Sequence, residues 1–243
     1  MRHAIFSDIH ANLPALEAVL ADIASRQFDR LYCLGDLVGY APFPNEVTER
    51  IRFDQIPTIM GNYDDGVGFD RDDCGCAYRE ANERRRGDQS LAWTKAHVTA
   101  ENKAFLRTLP HEIRFDADGR RVLLVHGSPR KINEYLFEDR PLSSFQRLAA
   151  SSNADIIVYG HTHKPYTKLV EEVLFVNVGS VGKPKDGDRR ACYAILDTST
   201  PPVEYIRVEY DLDRITSAIR ASELPPEFAT DLETAGAVHT PSR

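Results

Sequence analysis

Leu13, Leu16, Leu20 and Ile23 recur at helical spacing and predict a helix with one buried face. Asn12 stands at its start as an N-cap, with Pro14 in the first turn. Short apolar runs flank it, His3–Ser7 before and Leu31–Leu34 after, and both read as strands. Residues 44–52 predict a short helix, and Pro57–Met60 a third strand. This alternation predicts βαβ units and a largely parallel sheet. Between about 65 and 110 the pattern changes. The chain is polar and rich in Arg, Asp and Gly as far as Gln89; Ser90–His97 then reads as a helix, and Thr99 caps another that ends before Pro110. Arg84, Arg85 and Arg86 read as a solvated helix face. Strands resume at Val122–Val125, Ile156–Tyr159, Val173–Val176, Cys192–Leu196 and Val203–Val208. Short turns between the later ones predict partly antiparallel pairing. Asp211 caps a helix to about Ala221, and the tail from Pro225 predicts a short helix and a frayed end.

Composition narrows the class. The 243 residues, 42% hydrophobic and 28% charged, suit one globular domain over 1–243, with a helical excursion at about 65–110 and a helical tail from about 211. Apolar runs of six residues or fewer predict no membrane span. A carboxylate as early as Asp8 argues against a secretory signal, so the expected compartment is the cytoplasm. The net charge of -7 argues against extended nucleic-acid binding but leaves room for a small phosphorylated substrate, a nucleotide or a phosphoprotein. Cys33 and Cys192 lie in apolar runs and read as buried free thiols. Cys74 and Cys76 form a Cys-x-Cys in a polar segment, without the second pair that a zinc knuckle needs.

The chemistry lies where strands end. Ile5-Phe6-Ser7 leads to Asp8-Ile9-His10, and Tyr32-Cys33-Leu34 to Gly35-Asp36. Thr58-Ile59-Met60 leads to Gly61-Asn62, Leu123-Leu124-Val125 to His126-Gly127, and Ile157-Val158-Tyr159 to Gly160-His161-Thr162-His163. Each piece alone is weak: composition gives about 0.7 chance occurrences of Asp-x-His. The ordered set carries more, because Asp, His and Asn are costly to leave unpaired near a core. Ligands of open α/β sheets bind at the carboxyl ends of strands, so all five clusters converge on one crevice. Two carboxylates, four imidazoles, one amide and no thiolate suit Mn, Fe, Zn, Co or Ni. Seven ligands are too many for one catalytic ion with open positions; two ions that clamp a phosphorus displacement use them naturally.

In that order Asp-x-His, Gly-Asp, Gly-Asn-x-Asp, His-Gly and Gly-His-x-His resemble the calcineurin-like metallophosphoesterase superfamily, in its small bacterial and archaeal phosphodiesterase-like branch. The resemblance covers about residues 3–182. It implies a four-layer α/β/β/α sandwich of two mixed sheets flanked by helices, and a dinuclear hydrolase of phosphomonoesters or phosphodiesters. Asp8, His10, Asp36 and His163 would hold the first ion, with Asp36 bridging; Asn62, His126 and His161 would complete the second. The cofactors implied are two divalent ions, Mn or Fe first, with Zn, Co, Ni or Mg as alternatives. A hydroxide bridging them would attack phosphorus. Since each imidazole must be neutral to bind, metal affinity is expected to fall in mild acid. Where the family often has Gly-Asn-His-Asp, this chain has Gly61-Asn62-Tyr63-Asp64. Tyr63 therefore stands in place of the histidine that protonates the leaving group, either as a weak acid or as a packing residue, and Asp64 in place of the group that orients it. A catalytically weak, metal-binding interaction scaffold is the alternative reading; it predicts broken ligand positions. Asn177-Val-Gly-Ser180-Val-Gly182 resembles a family loop near the site. Arg130, Lys131 and Lys183 follow site loops and could meet phosphate. His3, His97, His111 and His239 fit no cluster and read as structural or surface residues.

Overall fold

Side chains alternate across the strands, and the alternation sorts the core into three layers. Arg2–Phe6 (β1) puts Ala4 and Phe6 on one face and Ile5 on the other. Arg120–Val125 (β4) does the same with Leu123 and Val125 against Val122 and Leu124. In the computed structural model, which describes residues 1–78, 80–199 and 203–237, these faces belong to two stacked sheets. The predicted frayed end and His239 lie outside the described residues.

The first sheet has the order β2-β1-β8-β9, with β2 at Arg30–Cys33, β8 at Ala191–Asp197 and β9 at Val203–Val208. The second has the order β3-β4-β5-β7-β6. Its further strands are Glu112–Ala117 (β3), Ile156–Tyr159 (β5), Tyr166–Val170 (β6) and Val173–Asn177 (β7). Ile5, Leu34, Ala194 and Leu196 meet Val122, Leu124, Ile156, Val158 and Val176 between the sheets. Truncating Leu124 to Ala in such a core costs roughly 2–5 kcal/mol.

Helices cover both outer faces. Leu13–Ala24 (α1), Pro44–Phe53 (α2), Leu212–Ala221 (α7) and Glu227–Thr234 (α8) pack on the first sheet through Leu16, Val19, Val47, Ile51, Ile215, Ile219 and Phe228. Leu142–Ser152 (α6) packs Phe145 and Leu148 on the second. The result is the expected α/β/β/α sandwich. Between β2 and β3 lie Asn62–Gly68 (α3), Ala81–His97 (α4) and Ala100–Leu106 (α5). Capping follows the sequence: the side chains of Asn12, Thr99 and Asp211 accept amides of α1, α5 and α7.

Several expectations are corrected. Pro57–Met60 is not a strand; Thr58 forms a single bridge to Cys33. Pro57 has no amide to donate, and the Met60 amide turns away to the Pro110 carbonyl. The first sheet is not largely parallel, because β8 enters antiparallel beside β1 and carries β9 antiparallel on its other side. Helix α4 starts at Ala81 rather than Ser90. Its first two turns are mostly exposed, so no apolar period announces them; Arg84 and Arg85 are indeed solvated, while Arg86 is partly buried. β3, β6, α3 and α6 are additions to the predicted set. No helix among the described residues is long and apolar enough to cross a membrane.

Candidate metal centre

The loops that follow β1 and β2 run side by side. The amides of Asp8, His10 and Ala11 donate to the carbonyls of Gly35, Asp36 and Leu37 at 3.0, 2.9 and 2.8 Å. Gly160 donates to His126, and Val181 and Gly182 donate to Ser7 and Asp8. The strand ends are thereby laced into one floor. It carries Asp8, His10, Asp36, Asn62, His126, His161 and His163, each no more than 3% exposed. Asp8, His10, Asp36, His161 and His163 have φ between 49° and 63°. A non-glycine residue held there costs roughly 1–3 kcal/mol, and such strain gathers at functional sites. Gly61 permits the close approach: a Cβ on it would lie 2.2 Å from Asp36 Oδ1.

Each carboxylate divides its oxygens. Asp8 Oδ2 accepts the His161 amide at 2.9 Å, and Asp36 Oδ1 accepts the Tyr63 amide at 2.8 Å. The other oxygens face imidazoles. Asp8 Oδ1 is 3.3 Å from His163 Nε2; Asp36 Oδ2 is 3.3 Å from His126 Nε2 and 3.6 Å from His10 Nε2.

The Nδ1 atoms of His10, His126 and His163 meet the carbonyls of Val38, Leu34 and Lys183. A carbonyl only accepts, so each Nδ1 carries the proton and each Nε2 of a neutral ring is a bare lone pair. Yet His10 Nε2 lies 3.2 Å from His163 Nε2, lone pair to lone pair, while His126 Nε2 lies 3.1 Å from Asn62 Oδ1 and donates to it when that ring is protonated. The Asn62 amide nitrogen is turned away onto the Cys74 carbonyl at 3.0 Å, which fixes its oxygen toward His126. Asp8 Oδ1 and His161 Nε2 are buried without a hydrogen-bond partner. Lone pairs pointed at lone pairs around two buried carboxylates are relieved by cations. Two triads among the described residues, Asp8–His10–His163 and Asp36–His126–His161, each keep their donor atoms within 4.8 Å of one another. The donors fit two divalent ions.

Burial pushes His10 and His161 down to about 3 and lowers His163 as well. His10 and His161 therefore stay neutral in mild acid and are not the source of the expected acid sensitivity. Burial acts the same way on His126, but the Asp36 carboxylate outweighs it and raises that ring to about 10. A cation beside Asp36 competes with that proton.

Tyr63 and Asp64 are placed as follows. The Tyr63 ring is buried edge-on to His10, with centroids 5.5 Å apart, and packs on Tyr40 at 4.8 Å. Burial pushes its phenol well above the usual value. The Asp64 oxygens accept the amides of Asp36, Leu37 and Gly61 at 2.8, 2.9 and 2.9 Å. Burial and then the Asp36 charge push its carboxyl up to about 7, against the pull of those donors. Asp64 clamps the loop that carries Asp36.

The softer expectations divide. Asn12 caps α1 and also donates to the Gly182 carbonyl at 3.0 Å, and Ser180 donates to the Asp8 carbonyl at 2.8 Å. The 177–182 loop therefore props the floor. Lys183 is tied to Asp231 at 2.8 Å and lies over the rings of Tyr40 and Phe228. Arg130 pairs with Glu134, and Lys131 is exposed. His97 stacks on Trp93, His111 is exposed, and His3 is buried against Phe115 and Tyr32. Cys33 and Cys192 are buried free thiols.

Sequence reasoning missed Tyr40, whose ring lies 4.9 Å from that of His10, and Tyr135, 4.0 Å from that of His161. Both sit in loops that leave strand ends at the site, which is the signal that could have found them. They border a cavity of about 1020 Å³ that also takes in Tyr78, Phe137, Lys164 and Lys185.

The calcineurin-like phosphoesterase superfamily domain matches residues 1–201. An uncharacterised protein of Methanocaldococcus jannaschii is 36% identical over 240 residues, covering 91% of this chain and 93% of its own. The phosphodiesterase YfcE of Escherichia coli K12 is 28% identical over 207 residues, covering 81% and 88%. The crystal structure of a metallophosphoesterase from Sphaerobacter thermophilus superposes with a TM-score of 0.78 at 32% identity, covering 97% of this chain and 99% of that one. This chain belongs to the calcineurin-like phosphoesterase superfamily, a family of divalent-metal hydrolases.

Proposed function

We propose that the protein is a dinuclear metal-dependent hydrolase of small phosphomonoesters or phosphodiesters. The observation that carries this reading is the acceptor–acceptor contact between His10 and His163, with Asp8 Oδ1 and His161 Nε2 buried beside it without a partner. Asp8, His10 and His163 would hold one ion, and Asn62, His126 and His161 the other. Asp36 Oδ2, which lies near both His10 and His126, would be shared. When bound, two such ions supply the Lewis acidity that activates water and neutralises charge on phosphorus. Oxygen and imidazole donors without thiolate favour Mn or Fe.

The chain's own residues position and exclude. The backbone lacing and the Asp64 clamp hold the donors before any ion arrives. Tyr40 and Tyr135 wall the centre and keep bulk water off it. The adjoining cavity accommodates a small phosphorylated molecule or a nucleotide. Lys164, Lys183 and Lys185 line it among carboxylates that include Glu138 and Asp231. Four free thiols suit a reducing compartment such as the cytoplasm. The test is turnover of p-nitrophenyl phosphate and bis(p-nitrophenyl) phosphate with Mn, beside Asp36→Asn. Loss of bound metal and of turnover together supports the reading. Turnover that survives in Asp36→Asn overturns it.

A further inference from the structure

We infer that Cys74 and Cys76 are a redox modification site, closing to an intrachain disulfide that releases Asn62 from its fixed orientation at the metal centre. The two sulfurs already lie 2.9 Å apart. A disulfide closes at about 2.05 Å, so they need approach by only about 0.9 Å.

The turn between them is built to hold them together. Gly75 has φ +67°, and a Cβ there would meet Asn133 Nδ2 at 1.9 Å. The Gly75 amide donates to Asp73 Oδ1 at 2.7 Å, and Asn133 Nδ2 donates to the Gly75 carbonyl at 2.9 Å. Pinned from both sides, the two thiols meet without further ordering cost. Cys74 is 8% exposed and Cys76 is more open to solvent, which makes Cys76 the first to react. Cys33 and Cys192 are fully buried in the strand cores and do not compete.

The link to the site is one carboxamide. Asn62 Nδ2 donates to the Cys74 carbonyl at 3.0 Å and to Cys76 Sγ at 3.2 Å. Those two bonds aim Asn62 Oδ1 at His126. Drawing Cys76 Sγ onto Cys74 removes one acceptor and shifts the segment that offers the other. The oxidant is a low-molecular-weight disulfide. Cys76 thiolate attacks one of its sulfurs, a mixed disulfide forms, and one thiol leaves. Cys74, its proton lost to solvent, then attacks Cys76 sulfur and expels the second thiol. The chain loses two electrons and two protons, and the oxidant gains both.

The effect on hydrolysis rests on the phosphoesterase reading above; the disulfide does not. The experiment treats the full chain with oxidised glutathione and follows intact mass, peptide mapping, Mn binding by equilibrium dialysis, and aryl phosphoester turnover. The expected product is two hydrogens lighter, with Cys74 and Cys76 in one cross-linked peptide. It binds its second Mn ion roughly 10–100-fold more weakly, as when a group that orients a ligand is removed. Dithiothreitol restores both mass and binding, and neither Cys74→Ser nor Cys76→Ser forms the cross-link. A stable glutathione adduct, no reaction, or a cross-linked chain with unchanged Mn affinity would each overturn the proposal. A reduced, Mn-replete chain that hydrolyses nothing would instead overturn the phosphoesterase reading, while mass and dialysis still decide the switch.

Discussion

Asp64 is the residue whose replacement separates loop clamping from proton handling. Its side chain is wholly buried and accepts three backbone amides, two on Oδ2 and one on Oδ1. Asp64→Ala leaves all three donors without a partner. A buried unsatisfied donor costs roughly 1–3 kcal/mol, so the sum is about 3–9 kcal/mol, against a typical total stability of about 5–15 kcal/mol. Asp64→Asn keeps one oxygen. Placed where Oδ2 is, it serves Asp36 and Gly61 and turns its NH₂ toward the Leu37 amide, leaving that amide and the NH₂ both unsatisfied at roughly 2–6 kcal/mol in all. At about 2–4 °C per kcal/mol for a chain of this size, the melting temperature should fall by about 4–24 °C for Asn and by about 6–36 °C for Ala. The assay is calorimetry and urea unfolding of chelator-treated protein, so that lost metal does not enter. Both variants unfolding within about 0.5 kcal/mol of the parent would refute the clamp.

Three further outcomes follow from the same geometry. Burial makes Tyr63 a poorer acid than a free phenol, so Tyr63→Phe should leave alkyl and aryl phosphoester turnover nearly unchanged; a slowing of alkyl substrates alone by ~10²-fold would restore the phenol as general acid. Asn62→Ala should weaken the second ion by at least ~10-fold and the first much less, read by equilibrium dialysis; equal affinities in variant and parent would remove Asn62 from the donor set. His3 is buried with neither ring nitrogen hydrogen-bonded, and burial lowers its pKa. The unfolded chain therefore takes the proton more readily, so His3 lowers stability further as pH falls below about 6.5 and adds no pH dependence above it. His3→Phe should raise stability by roughly 1–3 kcal/mol and flatten the melting temperature in that acid range; an unchanged slope would place the acid sensitivity elsewhere.

Much of the molecule could be read from its residues because strand ends and ligand types coincide. β5 and β9 fall on their apolar runs, and Asp8, Asp36, His126 and His161 follow directly from strands that a period of two makes visible. What escaped depends on tertiary approach. Tyr40 and Tyr135 reach the histidine rings from loops with no periodicity of their own. Asp64 looks in sequence like an imidazole partner. Two of its three real partners are amides 27 and 28 residues away, and only the packed loops put them there. The first turns of α4 face solvent, so apolar spacing could not mark them. Cys74 and Cys76 read as an incomplete metal motif until Asn62 is seen bonded to both residues.

The most direct test of the account is a crystal of Mn-loaded protein with anomalous scattering recorded at the Mn edge. Two peaks per chain are expected. One should lie among Asp8, His10 and His163, the other among Asn62, His126 and His161, with Asp36 reaching both. A single ion in a metal-replete, fully active sample, or ions bound away from these residues, would contradict it.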